Sequence, residues 1–228
     1  MELIIKFILA LFVCGATTIS IFSMFKIPIK SNDKQIAIFI LVVGFINFYF
    51  KFILDSPFVF VYQIISFSIL LVILRRYPIL YAIIVTVTGF VSLSLIDAVA
   101  SLVARSMNIS VDQMINDLST YTILHVVVAL IYLLISYLLV KFNIGYSFVK
   151  RRFSGKDMKL SNANYIWGIM MILAMIVMTL LSQPKVIYSL NMYIVLLVGI
   201  MFISSICYAY VQNKISLDDR YKGVSGHK

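Results

Sequence analysis

Lys141 to Lys159 reads KFNIGYSFVKRRFSGKDMK, with Lys141, Lys150, Arg151, Arg152, Lys156 and Lys159 set against one acid, Asp157. The sequence on either side is almost continuously apolar, which makes this stretch a loop between two membrane spans. Short basic loops stay on the cytoplasmic side of a bilayer. This one therefore sets the expected orientation of every other segment.

Composition places the rest of the chain in lipid. Of 228 residues, 62% are hydrophobic and 12% charged, with a mean hydropathy of +1.05. A soluble domain is about one-quarter charged, so the apolar excess has to face acyl chains rather than a single core. Nineteen Lys and Arg against nine acids give a net charge of +10. In a soluble protein that balance would suggest nucleic acid. Here the charges fill short gaps between apolar runs, so the expected partner is the lipid bilayer and its anionic cytoplasmic headgroups.

Seven apolar segments follow from the amino terminus: Leu3 to Phe25, Ile36 to Leu54, Phe58 to Leu74, Ile79 to Val103, Tyr121 to Val140, Tyr165 to Leu181, and Val186 to Tyr210. Each approaches or exceeds the roughly 17–25 residues a helix needs to span the hydrocarbon. The breaks carry turn and charge signals: Pro28 with Lys26, Lys30 and Lys34, then Asp55-Ser56-Pro57, Arg75-Arg76-Tyr77-Pro78, and Gln183-Pro184-Lys185. Between the fourth and fifth spans, Ser110 and Gln113 fit a capping box. Val111, Met114, Ile115 and Leu118 there share one face of a short surface helix.

With the N-terminus outside and the C-terminus cytoplasmic, Lys6, Lys51, Arg105 and Lys185 lie outside and every other Lys and Arg lies inside. The expected fold is all-α, a polytopic membrane bundle of seven transmembrane helices over residues 1–210. Residues 211–228 form a short cytoplasmic tail, too polar to fold alone.

Few residues offer chemistry. Cys14 and Cys207 both sit in apolar segments, and two Cys with two distant His make no metal site or disulfide framework. Leu11 to Gly15 has the outline of a lipoprotein cleavage box. Val13 occupies the small-residue position, however, so the first segment reads as a retained span. No HExxH, Cys–His pair or phosphate loop occurs, and the expectation is a protein without catalysis or cofactor.

Ionisable residues inside spans are functional suspects by default. Lys51 and Asp55 lie four apart at the outer end of the second span, with Asn47 one turn deeper. They form either a snorkelling lysine paired with an acid or the rim of an outward-facing pocket. Asp97 lies eighteen residues past Ile79, roughly 27 Å across the bilayer at 1.5 Å per residue. His125, early in the descending fifth span, reaches a similar depth. The two either hydrogen-bond across adjacent helices or act locally, Asp97 toward Arg105 and His125 toward a backbone carbonyl.

The layout resembles the N-terminal membrane sensor region of the Agr-type quorum-sensing receptor histidine kinases of Gram-positive bacteria. The resemblance rests on MELIIKF at the start, the Lys30–Lys34 loop before an aromatic-rich span, and Phe50-Lys51-Phe52 followed by Asp55-Ser56. The break at Arg75-Arg76-Tyr77, the basic loop before the sixth span, and an apolar last span running into a charged tail complete it. It covers roughly residues 1–215 and is one of arrangement. It implies a bacterial cytoplasmic membrane protein that binds an extracellular cyclic peptide and passes the signal inward. The sequence ends at Lys228, where the family continues into a kinase, so signalling is expected to pass to a separate cytoplasmic kinase or membrane partner. Lys150, Arg151 and Arg152 are the expected contact with that partner or with lipid. The competing expectation is a small-solute transport subunit or permease component.

Overall fold

The computed structural model describes residues 1–29, 33–56, 58–110, 113, 117–143, 145 and 200. All regular structure among them is helical. The chain divides into two compact units, Met1–Phe153 and Ser154–Lys228, and the boundary falls inside the basic stretch. The sixth and seventh expected spans, the tail, and Lys150, Arg151 and Arg152 lie outside the described residues. So does most of the expected surface helix after Ser110.

The first unit contains α1 (Glu2–Met24), α2 (Asp33–Phe48) continued by a π-helical turn (Tyr49–Ile53), α3 (Val59–Arg75), α4 (Ile79–Ser106) and α5 (Leu118–Lys141). Four segments are long and apolar enough to cross a membrane: Glu2–Met24, Asp33–Ile53, Tyr81–Ser101 and Leu118–Lys141. The 17-residue α3 is a shorter apolar helix. These helices fall where five apolar segments were expected, and they support a multi-pass membrane protein.

Side-chain contacts give the helix directions. Phe7 meets Phe48 and Phe22 meets Phe39, so α1 and α2 are antiparallel. Phe50 stacks on Tyr62 while Gln35 Nε2 donates to the Leu74 carbonyl, so α2 and α3 are antiparallel as well. Lys6 reaches the Tyr121 ring while the Ser20 and Ser136 hydroxyls meet at 2.7 Å, which makes α1 and α5 parallel. Helix α1 touches α2, α4 and α5, and is the central element of the bundle.

Toward the Met24 end the centre is aromatic. Phe22, Phe39, Phe67 and Phe90, one from each of α1 to α4, pack with centroids 4.7–6.3 Å apart, mostly edge to face. This is the favoured geometry for rings with a negative face and a positive edge. The outward faces carry Ile8, Leu41, Phe45, Ile69, Ile73, Leu130 and Leu134, all exposed, as lipid contact requires.

Several hydroxyls within the apolar helices are satisfied locally, whereas the buried Ser68 Oγ has no hydrogen-bond partner among the described residues. Thr18, Ser23, Thr86, Thr88 and Ser92 each donate to the carbonyl one turn back, which removes the cost of an unpaired donor in hydrocarbon. Close approach depends on absent side chains. A Cβ on Gly89 would lie 2.6 Å from Ile21 Cγ1 on α1. One on Gly145, in the opening of the basic stretch, would lie 2.7 Å from the Met24 carbonyl oxygen. The turn after α5 thereby comes close to the end of α1.

Each described helix is followed by a residue in the left-handed region that is not glycine: Lys26, Asp55, Arg76, Asn108 and Asn143. Asn tolerates this conformation best. Lys26 and Arg76 place a cation at a helix C-terminus, where the dipole favours positive charge.

Candidate functional site

Toward the Glu2 end the same helices part around a cavity of about 270 Å³. On α1, Val13, Cys14 and Thr17 line it, all smaller than the Phe22 that fills the equivalent centre nine residues on. Asn47 of α2 and Phe60 and Gln63 of α3 supply a second wall. Helix α4 contributes Phe90, Leu93, Ser94, Asp97 and Ser101, and α5 contributes Leu124, His125, Val128 and Tyr132. Residues at i, i+3, i+4 and i+7 on a helix share a face. That rule alone puts His125, Val128 and Tyr132 together.

Asp97 and His125, singled out by sequence, therefore meet at one cavity. No hydrogen bond joins the two. Asp97 Oδ1 accepts from the Tyr132 hydroxyl at 2.6 Å, and the same hydroxyl donates to the Leu93 carbonyl at 2.9 Å. Tyr132 is 2% exposed, so its ring is fixed by packing as well as by these bonds. Among the described residues it is the carboxylate's one hydrogen-bond partner. The side chain of Arg105 lies outside the described ones. His125 takes the local option: Nδ1 lies 2.9 Å from the Tyr121 carbonyl, and its ring stacks on Tyr121 at 3.9 Å. A carbonyl only accepts, so Nδ1 carries the proton and Nε2 of the neutral ring is an acceptor.

Tyr132 also sits at a junction. Its backbone carbonyl accepts from both Ser136 and Ser20, and those two hydroxyls contact each other. One residue of α5 is thus tied to α4 at Leu93 and Asp97, and to α1 at Ser20. Sequence reasoning missed it. The available signal was the spacing Tyr121, His125, Val128, Tyr132, Ser136, a half-polar stripe along one face of an otherwise aliphatic span.

The pairing of Lys51 with Asp55 is corrected. Lys51 Nζ donates to the Tyr121 hydroxyl at 3.1 Å and lies over the Phe52 and Tyr121 rings at 5.4 and 5.1 Å. Asp55 makes no ion pair among the described residues; there the one salt bridge joins Lys6 to Glu2. The cause is the π-helical turn. Its bonds run from residue i+5 rather than i+4, as in Leu54 N–H to the Tyr49 carbonyl. Lys51 and Asp55 are no longer stacked one turn apart, and Asp55 has entered the left-handed region with φ of 44°. Neither lines the cavity. Lys51 nonetheless interacts electrostatically with both Asp97 and His125, which places it as a neighbour of the site.

The expected capping box is present: Ser110 N–H donates to Gln113 Oε1 at 2.9 Å, and Gln113 N–H to Ser110 Oγ at 3.2 Å. Asp117 caps α5, accepting from the Thr120 amide at 3.0 Å and from the Thr120 hydroxyl. Those bonds hold its carboxyl below the usual carboxylate range. Among the described residues no group of His, Cys, Asp and Glu is arranged to hold a metal.

No family model matches the chain, and neither a curated protein nor a solved structure is significantly similar to it.

Proposed function

We propose that this chain is a seven-helix membrane sensor, N-terminus outside, that binds an extracellular peptide or amphiphile and passes the signal to a separate partner. The reading keeps the likeness to the Agr-type sensor region as its guide. The observation that carries it is the convergence of Asp97 and His125, from two helices, on one cavity toward the Glu2 end. At about 270 Å³ the cavity is below the roughly 300–1,000 Å³ of drug-sized ligand pockets. It suits one side chain of a larger ligand, with the remainder resting on the outer surface.

Tyr132 supplies a route inward. A ligand that draws the Asp97 carboxylate away loosens the α4–α5 bond, and Tyr132 is tied to α1 through Ser20. The partner would dock on Lys150, Arg151 and Arg152, or those residues would hold lipid headgroups.

The test is direct binding of secreted candidate peptides to the full chain in liposomes. Loss of affinity in the double variant Asp97→Ala, His125→Ala is expected, and unchanged affinity would remove the cavity from the binding site. A transport role has one observation in its favour. The lining reaches Thr17 and Tyr132, the latter about 21 Å along α5 from Leu118 at 1.5 Å per residue. Solute uptake by proteoliposomes containing this chain alone would put transport first.

A further inference from the structure

The polar groups around Asp97 share a chemical bias that narrows the ligand. Ser94 Oγ donates to the Val91 carbonyl and Ser101 Oγ to the Asp97 carbonyl. Tyr132 Oη donates to Leu93 and Asp97, and His125 Nδ1 to Tyr121. Each of these has turned its proton toward the protein and presents lone pairs to a ligand, while the Asn47 and Gln63 amides and the Thr17 hydroxyl on the other walls carry both donors and acceptors. The Asp97 carboxylate has no proton to give, and His125 Nε2 accepts. The described lining holds one acid and no Lys or Arg, with Phe60 and Phe90 as edge-to-face walls at 5.9 Å.

We infer that the cavity takes a primary ammonium group, such as a lysine side chain or an amino-terminal amine, with Asp97 as its counter-ion. An ammonium brings three donors and no acceptor, which complements the acceptors around Asp97. Its charge offsets that of Asp97, and aromatic faces favour cations within about 6 Å. A carboxylate or phosphate would meet the like charge of Asp97. A neutral alcohol would satisfy one acceptor and bring no charge to Asp97. Lys51 does not fill this role itself, because its ammonium is held by the Tyr121 hydroxyl. This inference rests on the cavity being the binding site.

The test uses benzylammonium, benzyl alcohol and benzoate as probes of similar size. They are titrated onto the full chain in phosphatidylcholine nanodiscs, whose neutral lipid removes bulk attraction for cations, and read by saturation-transfer NMR. Benzylammonium is expected to bind about tenfold or more tighter than benzyl alcohol, the scale of a charge-assisted hydrogen bond. Benzoate is expected not to bind. In Asp97→Asn, whose amide oxygen still accepts from Tyr132, the preference should fall to within about twofold. Asp33→Asn, in the first turn of α2 at the far end, should leave it unchanged.

Equal binding of ammonium and alcohol would overturn the inference while leaving the cavity as a binding site. Retention of the preference in Asp97→Asn, with an unaltered melting temperature, would also overturn it. Binding of none of the three probes would sink the cavity reading as well.

Discussion

The two ends of the described bundle are built from the same five helices and differ in what their interfaces hold. Toward Met24 the centre is four phenylalanines, and the helix ends meet: Gly145 against Met24, Arg75 on the Pro28 carbonyl at 3.5 Å, and Gln35 on Leu74. Toward Glu2 the centre is a cavity lined by an acid, an imidazole, two amides and several hydroxyls. Overall hydrophobicity does not separate them. In a bilayer, helices gain little by hiding apolar surface from lipid, so packing quality and polar contacts decide association. Small residues on α1 from Cys14 to Thr18 leave room that Phe22 fills further along. One end is shaped to hold, the other to admit.

Substitutions can break that contrast. The largest loss is expected from Phe67→Ala, which empties the fully buried centre of the ring cluster and should cost about 3 kcal/mol, read by unfolding in mixed micelles. If it costs less than Tyr132→Phe, the Met24 end is not the anchor. Gly89→Ala should cost about 2 kcal/mol by overpacking against Ile21, and under about 0.5 kcal/mol in an Ile21→Ala background. Equal costs in the two backgrounds would rule out the close α1–α4 approach.

Tyr132→Phe removes the bonds to Leu93 and Asp97 and should cost about 1.5 kcal/mol while changing ligand response far more. A stability loss with an unaltered response would confine Tyr132 to a structural role. The smallest effect concerns Asp117. Its carboxyl is held below the usual range, so its capping contribution is complete above about pH 4 and is lost as pH falls through the depressed value. Wild type should therefore lose melting temperature on acidification that Asp117→Asn does not lose over the same window. Identical acid profiles would show that the cap does not contribute.

The apolar runs and their punctuation made α1 to α5 legible, because length and hydropathy are local properties. Ile79 begins α4 where Pro78 stops α3 from continuing, and Asp117 starts α5 four residues before the expected Tyr121. Asp97 and His125 stood out because charge in hydrocarbon is costly. Their shared cavity was not legible, since it depends on which faces of α4 and α5 meet across α1. Tyr132 escaped notice because tyrosine in an apolar span reads as an interfacial residue, and only its depth and its bond to Asp97 give it a role. The π-helical turn carried no Gly or Pro within Tyr49–Ile53 to announce it, and the error over Lys51 and Asp55 followed from assuming α periodicity there.

That turn has a consequence for how the segment tolerates change in length. A π-helical turn is an α-helix carrying one residue more than its axial rise requires, accommodated without a break. Removing one residue from Tyr49–Ile53 would let α2 run on as a regular helix, re-aiming the residues within the turn while the segment beyond it keeps its place. Lys51 would leave Tyr121, and the stacking of Phe50 on Tyr62 would be lost with it. The surplus residue is a spacer that aims a lysine, and its worth lies in direction rather than in stability.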